Sequence, residues 1–480
     1  MAKQSFRFLS LDGGLVTDVS PVLLSPDKGF ASKSLNIDYS QRGVLRKRPG
    51  SIETLGAVAS NPIGAHQFIQ ASTQERHHIV AHGAVVQRWD SSTTTWVNLR
   101  SGLTGEQIDF LTFADSLIMS NGEDASARWD GTTLTTPTQF PKAKYLAEYR
   151  LRIAAAGDPA NPSKLYLSHT GDPTLWDVSD ASSNAAELFV SPDDGDVITG
   201  ICNVGEGGLI VGKGRAIYGL FGYSRANFMV DILDPTIGVG SHKSMLYVRP
   251  YAYFVNERGI YRMEVGSPAE RISSVIQTEF DSRINKSRIA ESRAALLGRN
   301  YVVTLPTGDT GTFTLAFNVD HLVWSEWTHP ALRESWEVAG DATSDVYYFS
   351  YGSLIPRKLS QEITTDNGDD ISVTLSLVES SAGLPEVTKD IHDLYLTFLA
   401  SAKPYHVNVW VWADDPNFNL WQQVAPNLEI SGIAGSQITH RVPVGATNIR
   451  YFRVRLESSG AGGGFHPIAM TCLYTPQEVL

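Results

Sequence analysis

Short apolar runs recur along the chain, many of them alternating with polar positions, and Gly, Asp, Asn, Pro and Ser divide them. This is the period-2 pattern of β-strands bounded by turn residues. Helical periodicity is scarce. The best helical stretch is 273–298, where Ile276, Phe280 and Ile284 recur at every fourth position and predict about two turns of helix.

Seven stretches share one plan of apolar strand, turn and apolar strand: 77–90, 115–131, 149–168, 207–222, 251–266, 299–318 and 345–360. Their spacing of roughly 35–60 residues is compatible with four-stranded propeller blades, which recur at about 40–50. The pattern predicts an all-β protein: an irregular β-propeller of about seven blades over residues 56–360. A polar break follows at 360–370. Beyond it, residues 366–480 read as a separate β-sandwich, with Val407, Val409 and Val411 alternating with Asn408, Trp410 and Trp412. Residues 1–55 show little periodicity and read as an extended N-terminal arm. Leu15, Val22, Leu23, Leu24, Leu35, Ile37 and Leu45 give that arm apolar surface that is costly to leave in water. The arm is therefore expected to pack along its own propeller or a neighbouring subunit, with Gly43–Gly50 turning the chain into the first blade.

The stretch "GGLIVGKGRAIYGLFG" (207–222) tests this reading. Gly207, Gly212 and Lys213 have the spacing of a phosphate-binding loop, but Gly214 stands where Ser or Thr would bind magnesium. The four residues before Gly212 read as a strand, and no helix starts at Lys213. "IVGKGRAIYGLFG" also aligns with "FVNERGIYRMEVG" further on. Gly-Lys-Gly is therefore expected to be a hairpin turn inside a blade.

Composition changes the picture little. The chain has 480 residues, 19% of them charged, and a formal charge of −12. An acidic balance argues against a surface that grips nucleic acid without sequence preference. The two cysteines, Cys202 and Cys472, exclude a disulfide framework and are expected to be buried thiols. No leader peptide or membrane-length apolar run is evident, so synthesis in the cytoplasm is expected.

Candidate chemistry is thin. His77, His78 and His82 lack the further ligands of a zinc site. The acidic turns 191–196 and 365–370 lack calcium-loop spacing. There is neither a repeated glycosidase-type Asp box nor a Gly-x-Ser-x-Gly elbow. No cofactor, metal or catalytic residue is expected, and the protein is not expected to be an enzyme. The basic cluster Arg42, Arg46, Lys47 and Arg48, with Pro49 and Gly50 fixing the turn, is the candidate subunit interface. Trp410, Trp412 and Trp421 are candidates for stacking on a ligand.

The order of several motifs resembles tailed-bacteriophage β-propeller tail proteins of the nozzle, hub, DNA-stabilisation or tail tubular type. The matching positions are Gly13, Gly14 and Leu15, then Ser20 and Pro21, then Asn36, then Gly43, Leu45, Arg48, Pro49 and Gly50. A Gly-Asp-Pro-x-x-Trp loop matches at Gly171, Asp172, Pro173 and Trp176, and the paired strands at 209–218 and 259–262 match as well. The resemblance spans roughly residues 10–290 and implies a structural virion protein. Such proteins form rings, usually hexamers, around the DNA channel. They contact portal or adaptor proteins and sometimes tail fibres or spikes, and genomic DNA passes without sequence-specific binding. The C-terminal sandwich departs from the family pattern. It leaves open a second function, that of a tail-borne receptor-binding lectin-like or glycan-degrading protein.

Overall fold

A computed structural model describes residues 2–25, 28–180, 183–338, 345–415, 417–460 and 464–477; the Val22 side chain lies outside this set. Seven antiparallel four-stranded blades surround one axis among the described residues. Blade 1 comprises Pro62–Ile69, Arg76–His82, Val85–Asp90 and Thr95–Ser101. Blade 2 comprises Asp109–Phe113, Ser116–Ser120, Ala127–Trp129 and Leu134–Thr135. Blade 3 has Tyr145–Glu148, Ile153–Asp158, Asn161–Leu167 and Ala186–Phe189. Blade 4 has Ile198–Asn203, Leu209–Lys213, Ile217–Phe221 and Met229–Asp234. Blade 5 has Leu246–Val248, Tyr251–Asn256, Gly259–Met263 and Glu270–Arg271. Blade 6 has Arg293–Leu297, Asn300–Thr307, Gly311–Asn318 and Val323–Trp327. The seven hairpins read from the sequence are the second and third strands of the seven blades.

Blade 7 draws on both ends of the propeller. Leu332–Glu337, Val346–Ser350 and Arg357–Ser360 are joined by Gly50–Glu53, which pairs antiparallel to the third strand with Ile52 opposite Lys358. The expected turn from Gly50 into the first blade is thus corrected: Gly50 opens the strand that closes the last blade. Gly50 fits for a reason other than a bend. A Cβ there would strike the backbone of Thr365.

The sandwich stacks two sheets. One runs Gln4–Phe8, Pro467–Pro476, Lys389–Leu399, Gln437–Ile449. The other runs Val373–Leu377, Phe452–Ser458, Tyr405–Ala413, Gln422–Ile430. Alternation along these strands sends Val407, Val409 and Val411 inward, all fully buried.

The arm is extended, yet it pairs within the chain at several points along its length. Gln4–Phe8 forms an edge of the sandwich, with Phe6 opposite Cys472. Ala31–Leu35 lies between Val323–Trp327 of blade 6 and Val373–Leu377 of the sandwich, so one nine-stranded sheet runs through both modules. Phe8, Leu11, Ile37 and Leu45 of the arm share a core with Val323 and the sandwich. The expected polar linker at 360–370 is instead a short hairpin, Thr365–Asp366 with Asp369–Asp370, and Asp366 pairs beside Ser51 in the blade 7 sheet. Residues that looked like spacers carry the junction because their partners lie on distant strands.

The helical stretch holds one α-helix, Gln277–Arg283, between two 3-10 turns. Ile276, Phe280 and Ile284 pack beneath blade 6.

Candidate functional site

The first strands of the blades line the propeller axis. Asp109 opens the first strand of blade 2 and is buried there. Its Oδ1 accepts from Lys243 Nζ at 2.8 Å. Its Oδ2 accepts from the Leu146 N–H at 2.7 Å and from His242 Nε2 at 3.1 Å. His242 Nδ1 accepts from the Ile201 N–H at 3.3 Å, which leaves the ring proton of the neutral imidazole on Nε2. Burial alone would raise the Asp109 pKa. The Lys243 ammonium and His242 overcome that and hold the carboxyl well below the usual carboxylate range. Burial would likewise strip the Lys243 proton, but Asp109 and Glu334 reverse the effect and raise its pKa. Nearby, Arg293 of blade 6 donates to Gln107 at 3.0 Å and lies 3.5 Å from Glu334 of blade 7. Arg333 donates to the Pro62 carbonyl at 3.0 Å and so joins blade 7 to blade 1.

Asp109, His242, Lys243, Gln107 and Arg293 border a cavity of about 240 Å³. With three donors on its two oxygens, Asp109 is poorly placed to act as a base. The arrangement ties the first strand of blade 2 to the first strand of blade 3 and to the 3-10 turn His242–Ser244 before blade 5. Neither Asp109 nor Lys243 stood out in the sequence, because their relation depends on blades that are far apart in the chain.

None of the sequence candidates lines this cavity. Gly-Lys-Gly is the hairpin turn of blade 4, with Gly212 opposite Ile217. Lys213 is fully buried and donates to the Ser191 carbonyl at 2.9 Å and to both Asp194 oxygens at 2.7 and 2.8 Å. Asp196 accepts from the Arg215 N–H at 2.9 Å. The acidic turn 191–196 is thus matched to its own lysine and hairpin. His82 is held by Ser60 at 3.1 Å and Gln87 at 2.8 Å. His78 accepts from Trp336 Nε1 at 3.1 Å, and His77 packs on Trp129. Among the described residues no group of three or more His, Cys, Asp or Glu is placed to hold a metal ion. Among them also, no helix is long and apolar enough to cross a membrane. Both cysteines are buried thiols.

The basic segment divides into two parts. Arg48, Pro49 and Gly50 are buried, so their expected place on a subunit surface is corrected. Arg48 forms a bidentate ion pair with Asp366, one arm of it at 3.1 Å, and also donates to Asn36 at 2.8 Å. A buried guanidinium needs such partners, and the chain supplies them from the arm at Asn36 and from the hairpin beside blade 7 at Asp366. Arg42 and Arg46 remain exposed, and Lys47 is half-buried. Arg46 and Lys47 border a cleft of about 420 Å³ where the arm, the exit from blade 7 and the sandwich meet.

Trp410, Trp412 and Trp421 share the outer face of the second sandwich sheet, each half-buried. The Arg455 guanidinium lies 5.0 Å from the Trp410 ring and 4.6 Å from the Trp421 ring. Arg453 lies 4.9 Å from Trp412. Arg453 and Arg455 are paired in turn with Glu379 and Glu457, at 3.0 and 3.2 Å. Arginine thus stacks on each of the three rings proposed for ligand stacking. Trp410 and Trp412 are legible as a period-2 stripe. Their arginine partners are not, because those come from a different strand.

The fold and site define a seven-bladed β-propeller with an integral β-sandwich, tied together by ion pairs. Solved structures similar in fold include the WD40 repeats of RRP9, at 7% identity over 66% of this chain and 99% of that chain, with a TM-score of 0.41. The WD40 β-propeller domain of Doa1 matches at 10% identity over 65% and 97%, with a TM-score of 0.40. An exo-β-1,3-galactanase from Phanerochaete chrysosporium matches at 12% identity over 88% and 100%, with a TM-score of 0.25. No family model matches the chain, and no curated protein is similar to it in sequence.

Proposed function

We propose that this chain is a structural component of a bacteriophage tail: a ring-forming nozzle or hub subunit that surrounds the DNA channel and helps retain and deliver the genome. The observation that carries this reading is the role of the motif residues behind the resemblance. A Cβ on Gly13 would lie 2.8 Å from the Gly29 carbonyl, and one on Gly14 would lie 2.6 Å from Val323 of blade 6. Asn36 takes a positive φ of 57° and accepts from Arg48 and the Thr328 N–H, both at 2.8 Å. Arg48 and Gly50 complete the junction. In the Gly-Asp-Pro-x-x-Trp loop, Trp176 Nε1 donates to Pro173 at 2.8 Å and the ring packs on Phe140. These matched positions thus do architectural work on the fold that the resemblance implies.

The reading is of a scaffold rather than a catalyst. A rigid two-module body suits a ring subunit. The net charge of −12 suits a wall past which DNA slides without adhering. Host attachment through fibres or spikes belongs to the same reading. The test is mass photometry and electron microscopy of the purified chain, alone and with portal and adaptor proteins. Closed rings that cap a portal–adaptor complex are expected. A monomer that never joins such a complex would sink the proposal.

A further inference from the structure

The cleft at the seam of the three units differs in charge from the rest of the chain. It is bordered by Arg46, Lys47 and Arg48 of the arm, by Ile363 and Thr364 at the exit from blade 7, and by Lys403 and His466 of the sandwich. Two of the acids near it are already used. Asp366 is matched by Arg48 and Ser51. Asp38 accepts from Ser40 and from Asn300 at 2.9 Å. Asp370, which is exposed, acts on Lys47 only from a distance. His466 donates Nδ1–H to the Leu45 carbonyl at 3.2 Å, and burial lowers its pKa and keeps it neutral. Lys47 has one carbonyl partner, Gly460 at 3.0 Å. Burial and the neighbouring Arg48 weaken its hold on a proton, and a bound anion would restore it. Arg46 and Lys403 are exposed. The cleft thus gathers Arg46, Lys47 and Lys403 as cations whose charge the nearby acids do not cancel.

We propose that this cleft is one half of a self-association interface and receives carboxylate side chains from a second copy of this chain. The inference rests on the ring reading above and deepens it. The choice of occupant rests on charge complementarity. A chain of net charge −12 repels its own copies over most of its surface, and a concave cationic site is where a copy's acidic surface is attracted. A contact between a cationic cleft and a different, acidic face is head-to-tail, the geometry that closes into a ring. The sandwich then has an assembly role: it supplies Lys403, without which Arg46 and Lys47 of the arm would form an open patch.

The test is sedimentation equilibrium of the full chain at low and high salt, with R46E/K403E and the milder R46Q/K403Q. Both positions are exposed, so circular dichroism should report an unchanged fold. Wild-type association that weakens with salt, and that falls at least tenfold in R46E/K403E and less in R46Q/K403Q, is the expected result. A wild type that assembles while both variants assemble equally well would overturn the cleft proposal and leave the ring reading standing. A wild type that stays monomeric at every concentration would end the ring reading and this inference with it. Association that is strengthened by added DNA and abolished by nuclease would assign the cleft to a nucleic acid and overturn it too.

Discussion

Asp109 shows how much one side chain can hold. Its carboxylate serves Lys243, His242 and the Leu146 N–H at once. D109A should cost about 3–5 kcal/mol, as expected when one partner of a buried ion pair is removed; urea denaturation measures it. The folded pKa lies below the unfolded value. The contribution of Asp109 is therefore complete above the unfolded pKa and is lost as pH falls through the folded one. The stability gap between wild type and D109N should shrink on acidification below about pH 4. Lys389 works the other way. It is fully buried and donates to the carbonyls of Leu384 at 3.1 Å and Arg450 at 2.8 Å. Burial lowers its pKa to about 8. The unfolded chain then binds more protons between pH 8 and the ordinary lysine value of about 10.4, so stability from this group rises across that window. Thermal melts of wild type and K389M should diverge in favour of wild type as pH climbs from 8 to 10. A constant difference would refute the assignment. At Gly50 the constraint is contact with Thr365, and G50A should cost about 1–3 kcal/mol by overpacking.

At the scale of elements, burial decides what the sequence displays. The second strands of the blades are largely covered on both faces. Ser116–Ser120 and Leu209–Lys213 are buried at every position, and such runs are easily read. The fourth strands of blades 1 to 5 are the more exposed ones. Both residues of Glu270–Arg271 are exposed, and Thr95–Ser101 is largely polar, so neither announces itself. The arm was harder still, because a strand completed by distant partners carries little local signal. Arg48 and Asp366 lie 318 positions apart. Basic residues in a row look like a surface, and burial of Arg48 appears only once the propeller closes. This placement changes what a truncation should do. Removing residues 2–40 takes away the edge strand at 4–8, the bridging strand at 31–35, and Leu11, Ile37 and Tyr39 from the shared core. The expected product is an insoluble or molten chain rather than a folded propeller that assembles poorly. Near-UV circular dichroism and solubility separate the two outcomes.

For the whole molecule, the nine-stranded sheet makes propeller and sandwich one cooperative unit. Limited proteolysis should not split the chain at 361–370, where the backbone is paired beside Ser51, and calorimetry should show one dominant transition. Two separately melting pieces would refute this. The strand that closes blade 7 also has a consequence in time. Glu53 and its partner Arg357 are separated by 304 positions. At roughly 5–20 residues per second, a ribosome needs roughly 15–60 s to travel that far. Throughout that interval Gly50–Glu53 has left the tunnel without its neighbour, and each new blade presents an unfinished edge to its surroundings. A nascent chain of this design depends on being shielded while it is made, and its yield should respond to translation speed and chaperone supply more than to the stability of the finished protein.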